Sequence, residues 1–318
     1  MIACLGRALA ATAVLGLAVS ASAQIVGIGT NPQGTLAYSS AAALAKAAVD
    51  SAKLQVRVQP SAGPSIYMPQ IDSGELETGI VTLLSIHEFA GRGVAAAKKP
   101  HNIRLAIILF PLRAGILVKK DSPIRAVADL RGKRATGEFA TQINSLWMAE
   151  ATLASAGLTY ADVQTVPVPH VVRGIEDFAA GRADAAFFSL GAAKVAEVNA
   201  QVGGVRFVSV ENNARTAAAF EKHAPGSYVS QVTPSPALVG IPEPTNVLAT
   251  DLTMIAGAKT PDEVVYKLVK SAYEKRAEMA EAFPPFREMT AMAKKSAFEF
   301  HPGAIKAYQE IGAWPPQE

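Results

Sequence analysis

Four hydroxyl side chains stand where short polar loops lead into predicted helices, at Thr30, Thr35, Ser65 and Thr141. The first turn of a helix exposes free N–H groups and the positive end of the helix dipole, which together attract an anionic oxygen. A hydroxyl group at this position adds a further hydrogen-bond donor. Each of these residues is also a good N-cap, so capping explains any one of them as well as binding does. Taken as a set, they predict a cleft that binds an anion.

One isolated charge and several aromatic rings extend this candidate site. Arg113 lies between two apolar stretches, where a lone charge needs a partner. A carboxylate of a bound molecule and an internal Asp or Glu would serve equally well. Tyr38, Tyr67 and Phe139 either wall a pocket or belong to the core. Other strand ends and loops of the same kind add the candidates Thr82, Asn144 and Ser189.

Motifs for catalysis and for cofactor binding are incomplete in this sequence. A dinucleotide-binding loop would need a third glycine where Pro32 stands, and the same loop lacks the Lys-Ser/Thr pair of a phosphate loop. His87 and Glu88 begin a zinc-protease motif, but Gly91 stands where the second histidine belongs. The five histidines show no metal-ligand spacing. We therefore predict a protein that is not an enzyme and that uses no cofactor and no metal.

The composition is that of a globular protein. Half of the 318 residues are apolar and 18% are charged, which excludes a disordered chain. The formal net charge is +3 and no block of Lys and Arg occurs, so the sequence shows no basic cluster of the kind that binds nucleic acid. The length allows about two domains.

The first 23 residues have the organisation of a secretory signal peptide. Arg7 precedes an apolar run over residues 8–19, and Ala21 and Ala23 fit the small-residue pattern of a cleavage site. The run is too short to span a bilayer, which takes about 20 apolar residues. The single cysteine, Cys4, would leave with the signal peptide, so the mature chain would hold no disulfide. Small secreted animal-type domains are dense in cysteine, whereas the mature form of this chain would have none. We therefore expect export to a bacterial periplasm.

Strands and helices alternate along the rest of the chain, which predicts an α/β protein with parallel strands and crossover helices. Two segments, near residues 25–84 and 134–188, share one order of strand, polar loop, helix, strand and helix. This repetition predicts two lobes of one architecture, with chance occurrence in any α/β protein as the alternative. Further predicted elements are strands at residues 77–84, 103–110 and 114–118 and a helix at residues 261–281.

Several short segments are typical of one known family. They are Ile-Gly-Thr at residues 28–30, Ser-Gly-Glu-Leu-Glu-Thr-Gly-Ile-Val at 73–81, Val-Lys-Lys-Asp-Ser-Pro-Ile at 118–124, Asp-Leu-Arg-Gly-Lys-Arg at 129–134, Ala-Gly-Leu-Thr-Tyr-Ala-Asp-Val at 156–163 and Ala-Ala-Gly-Arg-Ala-Asp-Ala at 179–185. Over residues 25–283 the chain resembles the TAXI-type solute-binding proteins of tripartite ATP-independent periplasmic (TRAP) transporters.

This resemblance implies a two-lobed type II periplasmic binding protein fold, in which each lobe is a mostly parallel sheet flanked by helices. Lobe one would comprise residues 24–115 and 245–318, and lobe two residues 116–244. The implied function is that of a periplasmic receptor, which we expect to be a monomer. It would capture a small organic anion, either a carboxylate or an amino-acid-like solute, in the cleft between the lobes. Its partners would be the membrane subunits of a TRAP-type permease.

Two alternatives share this scaffold. One is the receptor of an ABC uptake system for sulfonate-, nitrate- or thiamine-precursor-like solutes. The other is a periplasmic enzyme or a sensor-coupled receptor. Neighbouring genes would distinguish the receptor of an ABC system from that of a TRAP system, since an ATPase gene indicates an ABC system and a gene for a large fused permease indicates a TRAP system.

Overall fold

The computed structural model describes residues 25–91 and 101–316, and the predicted signal peptide at residues 1–23 lies outside the described residues. The strands are β1 (Ile25–Thr30), β2 (Gln55–Pro60), β3 (Thr78–Thr82), β4 (Ile103–Lys119), β5 (Arg134–Glu138), β6 (Gln164–Val168), β7 (Ala186–Ser189), β8 (Val205–Phe207), β9 (Tyr228–Val232) and β10 (Thr245–Gly257). The helices are α1 (Leu36–Ala52), α2 (Pro64–Ser73), α3 (Leu83–Phe89), α4 (Ile143–Ser155), α5 (Val171–Ala179), α6 (Ala193–Gln201), α7 (Ala214–His223), α8 (Asp262–Glu274), α9 (Arg276–Ala282) and α10 (Pro302–Glu310).

The main sheet has the strand order β2-β1-β3-β10-β4-β7, with β8 paired to β4 and β9 paired to β10. Strands β1, β2 and β3 are parallel, whereas β10 runs antiparallel to β3, β4 and β9. Strands β5 and β6 form a small parallel sheet, which a bridge between Ala135 and Ala185 joins to the segment before β7. The main sheet is therefore mixed, with parallel pairing at the β2-β1-β3 edge and antiparallel pairing from β3 to β7.

Two long antiparallel strands, β4 and β10, pass through both lobes. Strand β3 pairs with the second half of β10, from Leu252 to Ala256, and β9 pairs with the first half, from Thr245 to Ala249. Strand β7 pairs only with the second half of β4, from Ala114 to Leu117. Opposite halves of the same two strands thus serve different lobes. The lobe boundaries given above, at residues 115/116 and 244/245, stay a prediction.

Four of the predicted elements need correction. The strands predicted at residues 103–110 and 114–118 are one strand, β4. Strand β10 pairs with β4 on both sides of Pro111, so the strand continues past the proline. The strand predicted at residues 77–84 ends at Thr82, whose side chain accepts from the Ser85 N–H and starts α3. The helix predicted at residues 261–281 divides at Lys275, whose N–H caps α8.

The interior is continuous and apolar. Successive residues of β4 are buried along most of its length, so both of its faces are covered, and this accounts for its nearly unbroken apolar sequence. Among the described residues, no helix combines the length and apolar character that crossing a bilayer requires.

Candidate functional site

A small cavity lies where strands end and helices begin, between the two lobes. Its wall includes the first residues of α1, α2, α4 and α5 and the last residues of β3 and β7. In α/β proteins this edge, outside the carboxyl ends of the strands, is where ligands bind. The free volume is about 30 Å³, enough for about two water molecules. This space is too small for a solute the size of an amino acid, so binding of such a solute requires a wider cavity.

The polar groups that line this cavity are hydroxyls and amides. They belong to Asn31, Thr35, Thr82, Ser85, Asn144, Ser145 and Ser189. Apolar side chains complete the wall, among them Leu112, Met148, Phe187, Phe188 and Leu252. No lining residue carries a titratable side chain, and the described residues contain no group of three or more His, Cys, Asp or Glu suited to a metal. This arrangement can hold a molecule by hydrogen bonds and apolar contact.

Thr35, Thr82, Asn144 and Ser189 are the predicted site residues that line the cavity. Thr35 also caps α1, since its hydroxyl accepts from the Tyr38 N–H at 3.3 Å and donates to the Pro32 carbonyl at 2.8 Å. Capping and cavity lining, which the sequence left as alternatives, therefore coincide at Thr35.

A hydrogen bond across the cavity joins Thr82 to Asn144. The Asn144 Nδ2 group donates to Thr82 Oγ1 at 3.3 Å, and Thr82 Oγ1 lies 3.0 Å from Ser85 Oγ. Both Thr82 and Asn144 are buried. The Asn144 Oδ1 atom has no hydrogen-bond partner in the described part of the chain. Thr30, just before the lining residue Asn31, is fully buried, and its hydroxyl is likewise without a partner there.

The structure places four predicted residues beside the cavity wall rather than in it. Tyr38 accepts from Gln33 Nε2 at the surface, and the exposed Ser65 donates to Glu88 Oε1 at 3.2 Å. Thr141 donates to backbone oxygens in the two loops that meet at the cleft, those of Ala62 (3.1 Å) and Pro169 (2.8 Å). The fourth residue, Tyr67, lies in the core.

Tyr67 is buried against β1 and β3. Its hydroxyl donates to the Ile80 carbonyl at 2.6 Å, and burial raises the pKa of this phenol well above its usual value. Its ring packs so closely that a Cβ at Gly29 or Gly79 would lie 2.9 or 3.1 Å from it. Phe139 is also a fully buried core residue. For both rings the core alternative holds.

Arg113 has an internal partner. Its two terminal nitrogens donate to the two carboxylate oxygens of Glu288 at 2.7 Å each, and its Nε donates to Ser230 Oγ at 2.9 Å. The bond to Glu288 raises the pKa of the guanidinium. Of the two partners that the sequence left open, the structure shows the internal acid, and the Arg113 side chain does not line the cavity.

Replacement of Arg113 is expected to affect stability rather than binding. Arg113→Ala removes a two-pronged ion pair whose arginine is 23% and whose glutamate is 45% exposed, so solvent screening limits the loss to about 1 kcal/mol of unfolding free energy. Urea denaturation measures this loss, and Glu288→Gln should show a similar one. A weakened solute affinity with unchanged stability would instead place Arg113 in the binding site.

Glu88 lies beside the site, and its sequence context is only that of an incomplete zinc-protease motif. It lies in the last turn of α3, one turn after the lining residue Ser85, and accepts from Ser65. Burial raises the pKa of its carboxyl to about 6, although the Ser65 hydroxyl and the backbone N–H of Asn144 act to lower it. No local sequence signal identifies Glu88, because its neighbours Ser65 and Asn144 lie far from it in the chain and only the fold brings them together.

The raised pKa of Glu88 predicts a stability that falls as the pH rises. The folded state binds this proton more tightly than the unfolded state, whose pKa is near 4.5. The stabilisation is therefore complete below that value and is lost as the pH rises through about 6. Glu88→Gln, which keeps the shape and an acceptor, should gain about 2 kcal/mol relative to wild type between pH 4.5 and about pH 8.

Urea denaturation at the two pH values measures this difference. Glu75→Gln, in the exposed turn after α2, serves as the matched control and should show no such gain. A constant difference between wild type and Glu88→Gln across the pH range would contradict the prediction.

Contacts between loops bring the lobes together around the cavity. The backbone N–H of Lys194, at the start of α6, donates to the Gly34 carbonyl at 3.2 Å. At Gly63 the loop before α2 meets the loop before α4 so closely that a Cβ would overlap the backbone oxygen of Thr141 and lie 2.6 Å from Cγ of Gln142. These contacts define a closed arrangement of the lobes.

Solved structures share this architecture at low sequence identity. The substrate-binding protein of an amino acid ABC transporter has a TM-score of 0.51 at 12% identity, covering 82% of this chain and 99% of its own. The amino acid ABC transporter substrate-binding protein AbpA from Streptococcus pneumoniae, bound to L-arginine, has a TM-score of 0.50 at 12% identity, covering 83% and 95%. The VFT2 domain of BvgS from Bordetella pertussis has a TM-score of 0.50 at 13% identity, covering 83% and 93%.

The fold is therefore the two-lobed α/β fold of periplasmic solute-binding proteins, with the cavity at the edge where such folds hold their ligands. The predicted fold class is confirmed. The chain belongs to the NMT1-like family, whose model matches residues 28–312.

Proposed function

We propose that this protein is a periplasmic receptor that captures a small solute with an anionic group between its lobes and delivers it to a TRAP-type permease. The observation that carries the proposal is the convergence of helix starts on one cavity. The first residues of α1, α2 and α5 line it, at Leu36, Pro64 and Val171. The positive ends of these helix dipoles favour an anionic oxygen. Pro64 itself has no N–H to donate, and the Val171 N–H already donates to Gln142 Oε1 at 3.0 Å.

The lining side chains support the same interpretation. Ser85, Ser145 and Ser189 supply hydroxyl groups, and Asn144 supplies an amide. Thr35 lines the same wall, but its hydroxyl proton is already donated to the Pro32 carbonyl. Thr30 stays a candidate, because its buried hydroxyl next to Asn31 has no partner in the described residues. Tyr38, Ser65, Tyr67, Arg113 and Thr141 are left out of the proposed contact set because their contacts lie elsewhere.

A thermal-shift screen tests the capture of a solute. Carboxylates, amino acids and sulfonates are added separately, and the melting temperature is measured. A ligand that binds only the folded state, at about 100 times its Kd, adds about 2.7 kcal/mol to stability and raises the melting temperature. Small-angle scattering with the strongest ligand then measures whether the lobes stay closed around it. A screen in which no compound raises the melting temperature would contradict receptor function.

The transporter partner needs a separate test. Two of the similar structures are receptors of ABC transporters, which supports ABC delivery as the second candidate. Uptake of the identified solute is measured in cells that carry the receptor gene with its neighbouring transport genes. ATP-independent uptake through a fused permease supports TRAP delivery, whereas loss of uptake on inactivating a neighbouring ATPase supports the ABC system.

A further inference from the structure

Glu88 places a carboxylate behind the α3–α4 part of the cavity wall, without itself lining the cavity. Ser85, one turn earlier on α3, and Pro64, the residue before Ser65, both line the cavity. Ser65 donates to Glu88 Oε1 at 3.2 Å, and Asn144, in the first turn of α4, faces the same carboxylate with its backbone N–H. The start of α4 is therefore already next to an anion, and this anion belongs to the protein.

Two buried acceptor atoms at this edge have no donor. Glu88 Oε2 and Asn144 Oδ1 are both buried without a hydrogen-bond partner in the described part of the chain. Asn144 as a whole is 4% exposed and lines the cavity, and its amide nitrogen is already used in the bond to Thr82. A buried acceptor without a donor is costly, so this edge is suited to a group that donates hydrogen bonds.

The sign of the charge at this edge leads to the same requirement. A second anionic group beside Glu88 would meet a like charge and two further acceptors. A protonated amine offers three N–H donors and a positive charge on one compact atom. An anionic group of the same solute would still reach the starts of α1, α2 and α5 on other parts of the wall.

We propose that Asn144 Oδ1, with the carboxylate of Glu88 behind it, binds a protonated amine of the solute, so that the receptor selects amino-bearing acids over plain carboxylates and sulfonates. This inference rests on the proposed receptor function and specifies its solute class. It assigns Glu88 the role of a specificity-determining residue. It also excludes a simple dicarboxylate as the preferred solute.

Matched pairs of compounds that differ by one amino group test the inference. The pairs are alanine and propionate, aspartate and succinate, glutamate and glutarate, and taurine and ethanesulfonate. Calorimetric titration is performed at about pH 8, where Glu88 is ionised and the amines are protonated. For the pairs that bind, the amino member should bind about 10- to 150-fold more tightly, the range expected for hydrogen bonds to a charged group.

Variants connect this preference to the two residues. Glu88→Gln should reduce the preference for the amino member to within a few-fold, and Asn144→Ala should change it in the same direction. Glu75→Gln, in the exposed turn after α2, should leave it unchanged. Circular dichroism and urea denaturation confirm that each variant is folded.

The outcomes separate this inference from the proposed function. Equal or tighter binding of the amine-free members to wild type would overturn the inference and leave receptor function in place. A preference that persists in both Glu88→Gln and Asn144→Ala would also overturn it. Failure of every member of every pair to bind would overturn the receptor proposal, and the inference with it.

Discussion

Gly63→Ala is expected to prevent the two lobes from reaching the closed arrangement. The added Cβ would overlap the backbone oxygen of Thr141, and a backbone oxygen cannot rotate away as a side-chain end can. The Gly63 backbone is extended, with φ 169°, so alanine adds no local strain. The effect should therefore fall on the contact between the loops and leave the fold of each lobe intact.

The expected size of this effect follows from the cost of overpacking, about 1–3 kcal/mol, and a collision with backbone should lie at the upper end. A closed state that is destabilised by about 3 kcal/mol is about 150-fold less populated, and the apparent solute affinity falls in proportion. Calorimetric titration measures the affinity, and small-angle scattering measures the expected increase in radius of gyration.

Ser61→Ala, two residues earlier in the same loop, is the matched control because it adds no atom between the lobes. It should keep both the wild-type affinity and the wild-type radius of gyration. If Gly63→Ala also kept both values, the close contact at Gly63 would have no part in solute binding.

Tyr308→Ala is expected to cost about 3–5 kcal/mol of unfolding free energy, the range for removal of a large buried aromatic side chain. Tyr308 is fully buried on α10, with its ring edge-on to Phe300 at 5.9 Å and stacked on Trp314 at 6.4 Å. Its hydroxyl lies 2.6 Å from the Ala106 carbonyl and 2.9 Å from that of Met292. Through the contact with Ala106, Tyr308 links the C-terminal segment to the first part of β4.

Urea denaturation measures this loss, and Tyr308→Phe separates the ring from the hydroxyl. The phenylalanine variant keeps the ring contacts and should lose only about 1 kcal/mol, the usual worth of one hydrogen bond. If Tyr308→Ala lost less than about 1 kcal/mol of unfolding free energy, the C-terminal segment would contribute little to the stability of the first lobe.

These two experiments test different levels of the proposed mechanism. Tyr308 tests whether the chain returns at its C-terminal end to complete the lobe that it began, as the predicted lobe boundaries require. Gly63 tests whether that lobe must meet the other one closely for a solute to be held. A solute receptor of this design needs both properties, because the cavity wall is drawn from segments on either side of the cleft.

Predictions from local sequence were most accurate where a strand, a polar loop and a helix follow one another. The pattern predicts helices at residues 35–50 and 144–156, and α1 and α4 begin within one residue of those positions. For α1 the reason is local, since Thr35 caps a run rich in alanine. Elements that depend on distant partners were missed. Strands β8 and β9 and helices α7 and α10 were not predicted, and β4 was divided at Pro111, where pairing with β10 sustains it.

The amino-acid sequence by itself determined the α/β class of this protein, the order of its strand–loop–helix units and the presence of hydroxyl residues at helix starts. These properties depend on hydrophobic pattern and capping, which act between near neighbours in the chain. Only the tertiary structure decided which candidates share a cavity. It paired Arg113 with Glu288, 175 residues further on, and set Asn144 against Thr82, 62 residues earlier, with Glu88 beside them. These contacts join residues far apart in the chain, so they depend on how distant strands, helices and loops pack together, and no local property of the chain specifies that packing.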